Sequence, residues 1–139
     1  MYRKISIEVN SELTATEKIL LWFEQLNCPP ICDRDWWQCQ TLLQEGFANV
    51  VEHAHKDLPA ETPITIEAER NSQYIEIRIL SHGPTFDLEH KLREIPKLED
   101  NDSEGGRGLR IMEIFADSLS YEHTPDNHNC LRMQKIIKT

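Results

Sequence analysis

The chain lacks a basic run, and this absence argues against one class of function, the binding of nucleic acid. Its 15 lysine and arginine residues are outnumbered by 24 acidic residues, so the net charge is −9. Proteins that bind nucleic acid usually neutralise phosphates with a basic stripe. We therefore expect no direct contact with DNA or RNA, and a basic protein partner is easier to reconcile with this charge.

Long apolar segments are also missing. The longest uncharged apolar run covers residues 19–23, whereas a membrane-spanning helix needs about 20 such residues. The first nine residues alternate polar and apolar side chains and show neither the apolar core nor the cleavage site of a signal peptide. We therefore expect a cytoplasmic protein without a membrane partner.

The four cysteines do not form a common zinc motif. They are Cys28, Cys32, Cys39 and Cys130. Three intervening residues followed by six is not a usual ligand spacing for zinc. We interpret the cysteines as reduced structural residues, and the alternative is a zinc site completed by His53 or His55.

Hydrophobic periodicity predicts one domain over residues 1–139 with the element order β-α-α-β-β-loop-α-β-β. Alternating residues predict strands at 4–9, 64–68, 75–79, 119–123 and 130–137. Helical spacing predicts a first helix through Leu26 that is capped by Asn10 or Ser11, and a second that begins at Asp33 or Asp35. The apolar stripe of the second helix comprises Trp36, Leu43, Phe47, Val50 and Ala54.

The predicted helices segregate from a largely antiparallel sheet. This order favours the α+β class: a two-layer α/β sandwich with a mostly antiparallel mixed sheet and helices on one face. Between the third strand and the last helix lies a long irregular stretch, with at most a short helix near residues 88–93. Such a stretch is usually functional or mobile in so small a domain.

The second helix carries three polar residues in one row. Glu45, Asn49 and His53 are spaced four residues apart, so they share one edge of the helix beside its apolar stripe. An amide oxygen can bind Mg²⁺ together with nucleotide phosphates and water, which leaves Glu45 free to act as a general base. The alternative for this spacing alone is a solvated polar face.

A glycine-rich segment precedes the last helix, which we predict from Gly108 to about residue 116. Gly105, Gly106 and Gly108 would let backbone N–H groups approach a phosphate, and the helix N-terminus adds partial positive charge. Arg107 could contact the phosphate directly. Alone, the segment is equally consistent with a flexible turn.

Together, these motifs resemble those of the anti-sigma factor serine-kinase family of the RsbW and SpoIIAB type. This family is part of the wider ATPase superfamily of gyrase, histidine kinases and MutL. The residues from Glu45 to Ala54 resemble its N-box, Glu-x-x-x-Asn-x-x-x-His-Ala, and those from Gly106 to Leu109 resemble its second glycine box. The two closing strands are similar as well, so the resemblance covers nearly the whole chain.

The resemblance implies a fold, a reaction and partners. Members have the histidine-kinase-like ATPase fold, use ATP and Mg²⁺, and phosphorylate a serine or threonine of an anti-anti-sigma antagonist of the STAS type. They also sequester a sigma factor, and thereby regulate bacterial transcription by partner switching, usually as homodimers. Asn49 would hold the metal, Glu45 would activate the acceptor hydroxyl, and residues 84–104 would form the ATP lid. The implied nucleotide contacts are Asn49, His53, Ser81, Gly83, Phe86, Gly105, Gly106, Arg107, Gly108 and Leu109.

One position departs from the family pattern. The first glycine box is typically Asp-x-Gly-x-x-Phe, in which the Asp accepts a hydrogen bond from the adenine amino group. Here Gly83 and Phe86 match, but Ser81 stands in place of the Asp. A serine hydroxyl also accepts a hydrogen bond, although without the strengthening effect of a charge. We therefore predict weakened ATP binding, and the alternative function is a non-catalytic or weakly ATP-binding partner-switching module.

Overall fold

The structure, a computed structural model, describes residues 2–83, 104–126 and 128–137, and for 104–107 it describes the backbone alone. Its elements follow the predicted order. They are β1 (Tyr2–Asn10), α1 (Thr16–Phe23), α2 (Asp33–Asn49), β2 (Pro63–Asn71), β3 (Tyr74–Ser81), α3 (Glu104–Phe115), β4 (Ser118–His123) and β5 (Asn129–Ile136). Phe86, the short helix expected near 88–93 and the expected lid up to residue 103 lie outside the described residues.

The five strands form one sheet in the order β1-β2-β3-β5-β4, and each pairing is antiparallel. The predicted two-layer α+β architecture is confirmed. Because β5 returns between β3 and β4, the last residue of β3, Ser81, pairs with the first residue of β5, Asn129. This register brings the start of β5 to the strand end that the sequence assigns to the nucleotide site.

The core lies between the sheet and α2. The predicted apolar stripe of α2 is buried at every position: Trp36, Leu43, Phe47, Val50 and Ala54. Alternate residues of β2 and β3 face this stripe, as their two-residue periodicity requires. Gly46 allows the close approach, since a Cβ there would lie 2.7 Å from Met133 Cε and 3.0 Å from Ile79 Cδ1.

The first helix does not begin where the sequence suggested. It starts at Thr16 after a short 3-10 turn, so neither Asn10 nor Ser11 caps it. Asn10 still belongs to β1 and pairs with Pro63, and the Ser11 backbone N–H donates to the Ala60 carbonyl at 2.8 Å. The predicted cap was wrong because the 3-10 turn over Leu13–Ala15 separates both residues from the first residue of α1.

The second helix begins at Asp33, one of the two predicted positions. Its N-cap is Cys32, whose Sγ accepts a hydrogen bond from the Asp35 backbone N–H at 3.4 Å. The helix continues beyond Asn49 as a π-helical turn over Val50–Ala54. Such turns are rare and frequently occur at functional sites.

The last helix begins at Glu104, four residues earlier than predicted, so Gly105 and Gly106 are helical. The first four N–H groups of a helix have no intrahelical partner in any case. Glycine in a helix costs about 1 kcal/mol relative to alanine. Burial of Leu109 and Met112 in the core helps to hold the helix despite this cost.

The sheet face opposite the helices carries a network of ion pairs centred on Arg78. Its guanidinium donates to Glu67 at 3.1 Å, to Glu69 at 2.6 Å and to Glu76. The Tyr2 hydroxyl also donates to Glu69, at 2.8 Å. Hydrogen bonds from Arg78, and then from Tyr2, lower the pKa of Glu69 against the opposing effect of burial.

The four cysteines are free thiols. Cys39 is fully buried, and burial raises the pKa of its thiol to about 12. In the part of the chain that the structure describes, no group of three or more His, Cys, Asp or Glu side chains could hold a metal ion. None of the described helices is long and apolar enough to cross a membrane.

Candidate functional site

The second helix places Asn49 and Glu45 in different environments. Asn49 is 7% exposed, and its amide oxygen Oδ1 accepts no hydrogen bond from the described residues. Glu45, one turn earlier, is half-buried beside the apolar stripe. A buried amide oxygen normally has a partner, so the position of Asn49 fits a hard-oxygen ligand for a cation such as Mg²⁺.

His53 does not continue the row of Glu45 and Asn49. The π-helical turn has wider hydrogen bonding, in which the His55 backbone N–H donates to the Val50 carbonyl at 2.8 Å. This turn breaks the four-residue spacing that the sequence suggested, and the His53 side chain is exposed whereas Asn49 is buried. A nucleotide contact by His53 stays a prediction.

The glycine-rich segment packs directly against α2. A Cβ on Gly108 would lie 2.6 Å from Glu45 Oε2 and 3.7 Å from Glu45 Cδ. The structure therefore brings the predicted base together with the second glycine motif, and a side chain at position 108 would displace the carboxylate. Leu109 is 5% exposed and belongs to the core. For Gly105, Gly106 and Arg107, the structure places only the backbone, in the first turn of α3.

The N–H groups in the first turn of α3 are placed to serve an anion. The first residues of α3 have no carbonyl four residues earlier in the helix to bond, and the helix dipole places partial positive charge at this end. A phosphate is well matched to such an end when glycines let it approach the backbone. The nearby Glu45 carboxylate gives the same region a proton acceptor.

Ser81, the position that departs from the family pattern, is fully buried at the end of β3. Its side chain lies near the phenol of Tyr121 on β4. Burial raises the pKa of Tyr121, and the neighbouring Ser81 hydroxyl opposes that rise. The position can therefore offer a neutral hydroxyl to a ligand, but not a carboxylate.

Gly83 needs to be a glycine for two reasons. Its φ is +90°, in the left-handed region that other residues rarely adopt. In addition, a Cβ there would lie 2.7 Å from the Ala54 carbonyl oxygen. Gly83, two residues after β3, thus packs on the π-helical turn at the end of α2. One helix therefore contacts both glycine motifs, because Glu45 contacts Gly108 and Ala54 contacts Gly83.

Two residues that hold this strand end have no assigned role in the sequence motifs. His55 Nε2 accepts a hydrogen bond from the His82 backbone N–H at 2.9 Å. Asn129 Nδ2 donates to the Gly83 carbonyl at 2.9 Å and more weakly to the His82 carbonyl at 3.4 Å. Sequence reasoning named His55 only as an alternative zinc ligand. No local pattern could identify Asn129, because its role depends on strand register.

Comparison with known proteins identifies the class. Residues 9–135 match the family model of the histidine kinase-like ATPase domain, and the chain belongs to this family. Its fold is also that of a protein in a crystal structure of the SiaB-SiaC complex from Pseudomonas aeruginosa. The TM-score is 0.56 and the identity 13%, and the match covers 96% of this chain and 89% of that one.

Two relatives of this chain are protein kinases. The chain is 28% identical over 125 residues to the serine/threonine-protein kinase BtrW of Bordetella bronchiseptica, covering 84% of this chain and 83% of BtrW. It is 33% identical over 82 residues to the serine-protein kinase RsbW of Listeria innocua, covering 55% of this chain and 52% of RsbW. The resemblance to the RsbW type that the motifs indicated is confirmed at the level of homology.

Proposed function

We propose that this chain is an ATP- and Mg²⁺-dependent serine/threonine protein kinase of the anti-sigma type. It would phosphorylate a STAS-type anti-anti-sigma antagonist and, in the alternative complex, sequester a sigma factor. The observation that carries the proposal is the contact between Glu45 and Gly108, together with Asn49 Oδ1 one turn away on α2, which has no hydrogen-bond partner among the described residues. Homology to the kinases BtrW and RsbW supports the same reaction class.

The residues of the site have separate roles in this proposal. Asn49 Oδ1 would hold Mg²⁺, which when bound neutralises phosphate charge during transfer. Glu45 would accept the proton of the antagonist's hydroxyl, and the contact with Gly108 would orient its carboxylate toward the phosphate region. Phosphoryl transfer requires mainly positioning and charge stabilisation, and a metal ligand together with a general base can provide both.

The nucleotide contacts complete the proposal. Gly105, Gly106, Arg107 and Gly108 would hold the phosphates at the first turn of α3. Ser81 and Gly83 would contact the base side of the nucleotide at the end of β3. The contacts of His53, Phe86 and Leu109, a lid over residues 84–104, a homodimer and a cytoplasmic location stay predictions from the family resemblance.

A second candidate function is a partner-switching module without efficient phosphoryl transfer. The observation in its favour is Ser81, a fully buried neutral side chain at the position where the family pattern has a carboxylate. A weaker bond to the base would lower nucleotide affinity. Partner binding by the same fold would not require that bond.

Calorimetric titration with ATP, with and without Mg²⁺, tests the proposal. We expect the wild-type protein to bind ATP in a Mg²⁺-dependent manner. Asn49→Ala should lose the Mg²⁺ dependence, whereas Glu45→Ala should retain binding and lose transfer to the antagonist. Gln44→Ala is the matched control, since Gln44 is an exposed residue on the same helix. Absence of binding at millimolar nucleotide would contradict the kinase proposal and leave the partner-switching module.

A further inference from the structure

The two residues that follow β3, His82 and Gly83, are held by hydrogen bonds from two sides. On one side, the His82 backbone N–H donates to His55 Nε2 at 2.9 Å. On the other side, the side-chain amide of Asn129 donates to the carbonyls of His82 and Gly83. Gly83 also packs against the Ala54 carbonyl. The backbone groups of His82 and Gly83, next to the position proposed to contact the nucleotide base, are therefore held by the imidazole of His55 and the side-chain amide of Asn129.

The hydrogen bond to His55 determines the protonation state of that ring. A backbone N–H can only donate, so Nε2 must be unprotonated and the ring proton must be on Nδ1. His55 is only 2% exposed, and Nδ1 has no hydrogen-bond partner among the described residues. An imidazolium would point a second N–H at the His82 amide, so the bond is available only to the neutral ring.

We propose that neutral His55 is a positioning residue for the nucleotide site, and that its protonation releases the His82–Gly83 segment and weakens nucleotide binding. Only the second half of this inference, the weakening of nucleotide binding, rests on the proposed function. The dependence of the backbone contact on a neutral ring follows from the geometry at His55, whatever ligand the site binds. His55 touches the strand end and acts through it, so it is not a catalytic residue.

The titratable groups around His55 come from three segments of the described chain. From the β3 side, His82 faces it with the ring centroids 6.0 Å apart. Behind His82 lies His128, next to the start of β5, with the centroids 4.5 Å apart. In the turn of His55 itself, the neighbouring Lys56 and Asp57 are both exposed. Among these neighbours Asp57 is the one acidic side chain, and it is exposed.

The pH range follows from the direction of the shift. Burial and the nearby His82 lower the pKa of His55 from its usual value of 6.5. The unfolded or released state therefore takes up the proton first. The contact is at full strength above about pH 6.5 and weakens as the pH falls from there toward the lowered pKa of His55.

Two measurements on the full chain between pH 7.5 and 5.5 test the proposal. NMR hydrogen exchange gives the protection factor of the His82 amide, which is corrected for the intrinsic effect of pH on exchange. Calorimetry gives the dissociation constant for ATP with Mg²⁺. We expect both to weaken together as the pH falls below about 6.5, by at most about tenfold per pH unit for a single proton.

Variants assign the effect to one ring. His55→Gln places an uncharged acceptor near the position of Nε2, so the His82 amide should stay protected and the pH dependence of both measurements should disappear. His128→Gln is the matched control: it removes the ring beside His82 but leaves its backbone bond, so the pH dependence should remain. An NMR titration of the wild-type imidazoles needs no variant and should show the Nδ1–H tautomer of His55.

The outcomes separate this proposal from the proposed function. A His82 protection factor that is independent of pH, or an Nε2–H tautomer of His55, would overturn the inference. Unchanged ATP affinity despite loss of His82 protection would overturn its second half. If ATP does not bind at any pH while the His82 amide still responds through His55, the kinase proposal fails and the backbone contact stands.

Discussion

Glu45 Oε2 lies so close to the backbone of Gly108 that a Cβ on that glycine would be only 2.6 Å away. The contact joins the helix that carries the metal-ligand candidate to the helix that carries the second glycine motif. It also makes the identity of residue 108 a condition for the position of the carboxylate. The two motifs that the sequence suggested separately are thus physically coupled.

Substitution of Gly108 by alanine tests this coupling. Alanine favours a helix over glycine by about 0.5–1 kcal/mol, but here its methyl group would collide with Glu45. Because the Glu45 carboxylate can move aside, we expect Gly108→Ala alone to change the free energy of unfolding little, and to raise it when Glu45 is also alanine. A double-mutant cycle from urea unfolding should give a coupling of about 0.5–3 kcal/mol. Additive effects of the two substitutions would show that the carboxylate does not require the glycine.

A carboxylate at position 81 tests whether the serine found there, in place of the family's aspartate, weakens ATP binding. A charge-assisted hydrogen bond is about twice as strong as a neutral one, so Ser81→Asp should tighten ATP binding by roughly five- to tenfold. Because Ser81 is fully buried, the added charge should lower the free energy of unfolding without nucleotide by about 3–5 kcal/mol. Calorimetry with ATP and GTP, together with thermal unfolding, measures both effects.

The control for this substitution is Ser118→Asp, an exposed position in β4. It adds the same charge to the protein away from the strand end, so ATP affinity and stability should stay near wild-type values. Equal ATP affinity in the Ser81→Asp variant and the wild type would show that this position does not contact the base.

The pH dependence of stability should report the pairing of Glu69 with Arg78. The pKa of Glu69 is lowered from its usual 4.5, so the pair contributes stability above about pH 4.5 and loses it as the pH falls through the lowered pKa. Glu69→Gln should reduce the free energy of unfolding at pH 7 by about 1–2 kcal/mol. The difference from wild type should shrink as urea unfolding is repeated toward pH 3.

Glu8→Gln provides the comparison for this prediction. Glu8 is exposed on β1, on the same face of the sheet as Glu69. Its substitution should change stability little at any pH, as is usual for a surface position, since Glu8 has no ion pair within the part of the chain that the structure describes. A constant difference between Glu69→Gln and wild type from pH 7 to pH 3 would exclude the ion pair as its source.

The amino-acid sequence by itself determined the order of elements, the class of fold and the two motifs. Those features depend on local periodicity: alternation marks the strands, and the stripe from Trp36 to Ala54 marks α2. Boundaries were less well predicted. The start of α3 was placed at Gly108 because glycines favour turns in isolation, whereas the folded helix begins at Glu104.

Tertiary structure alone decided which of the predicted residues meet. The contact of Glu45 with Gly108, the pairing of Ser81 with Asn129 and the bond from His82 to His55 each join residues that are distant in the chain. Helix packing and strand register set these distances, and neither leaves a periodic signal near the residues involved. The π-helical turn that carries the exposed His53 also left no signal in the sequence, and it lies where the end of α2 contacts β3.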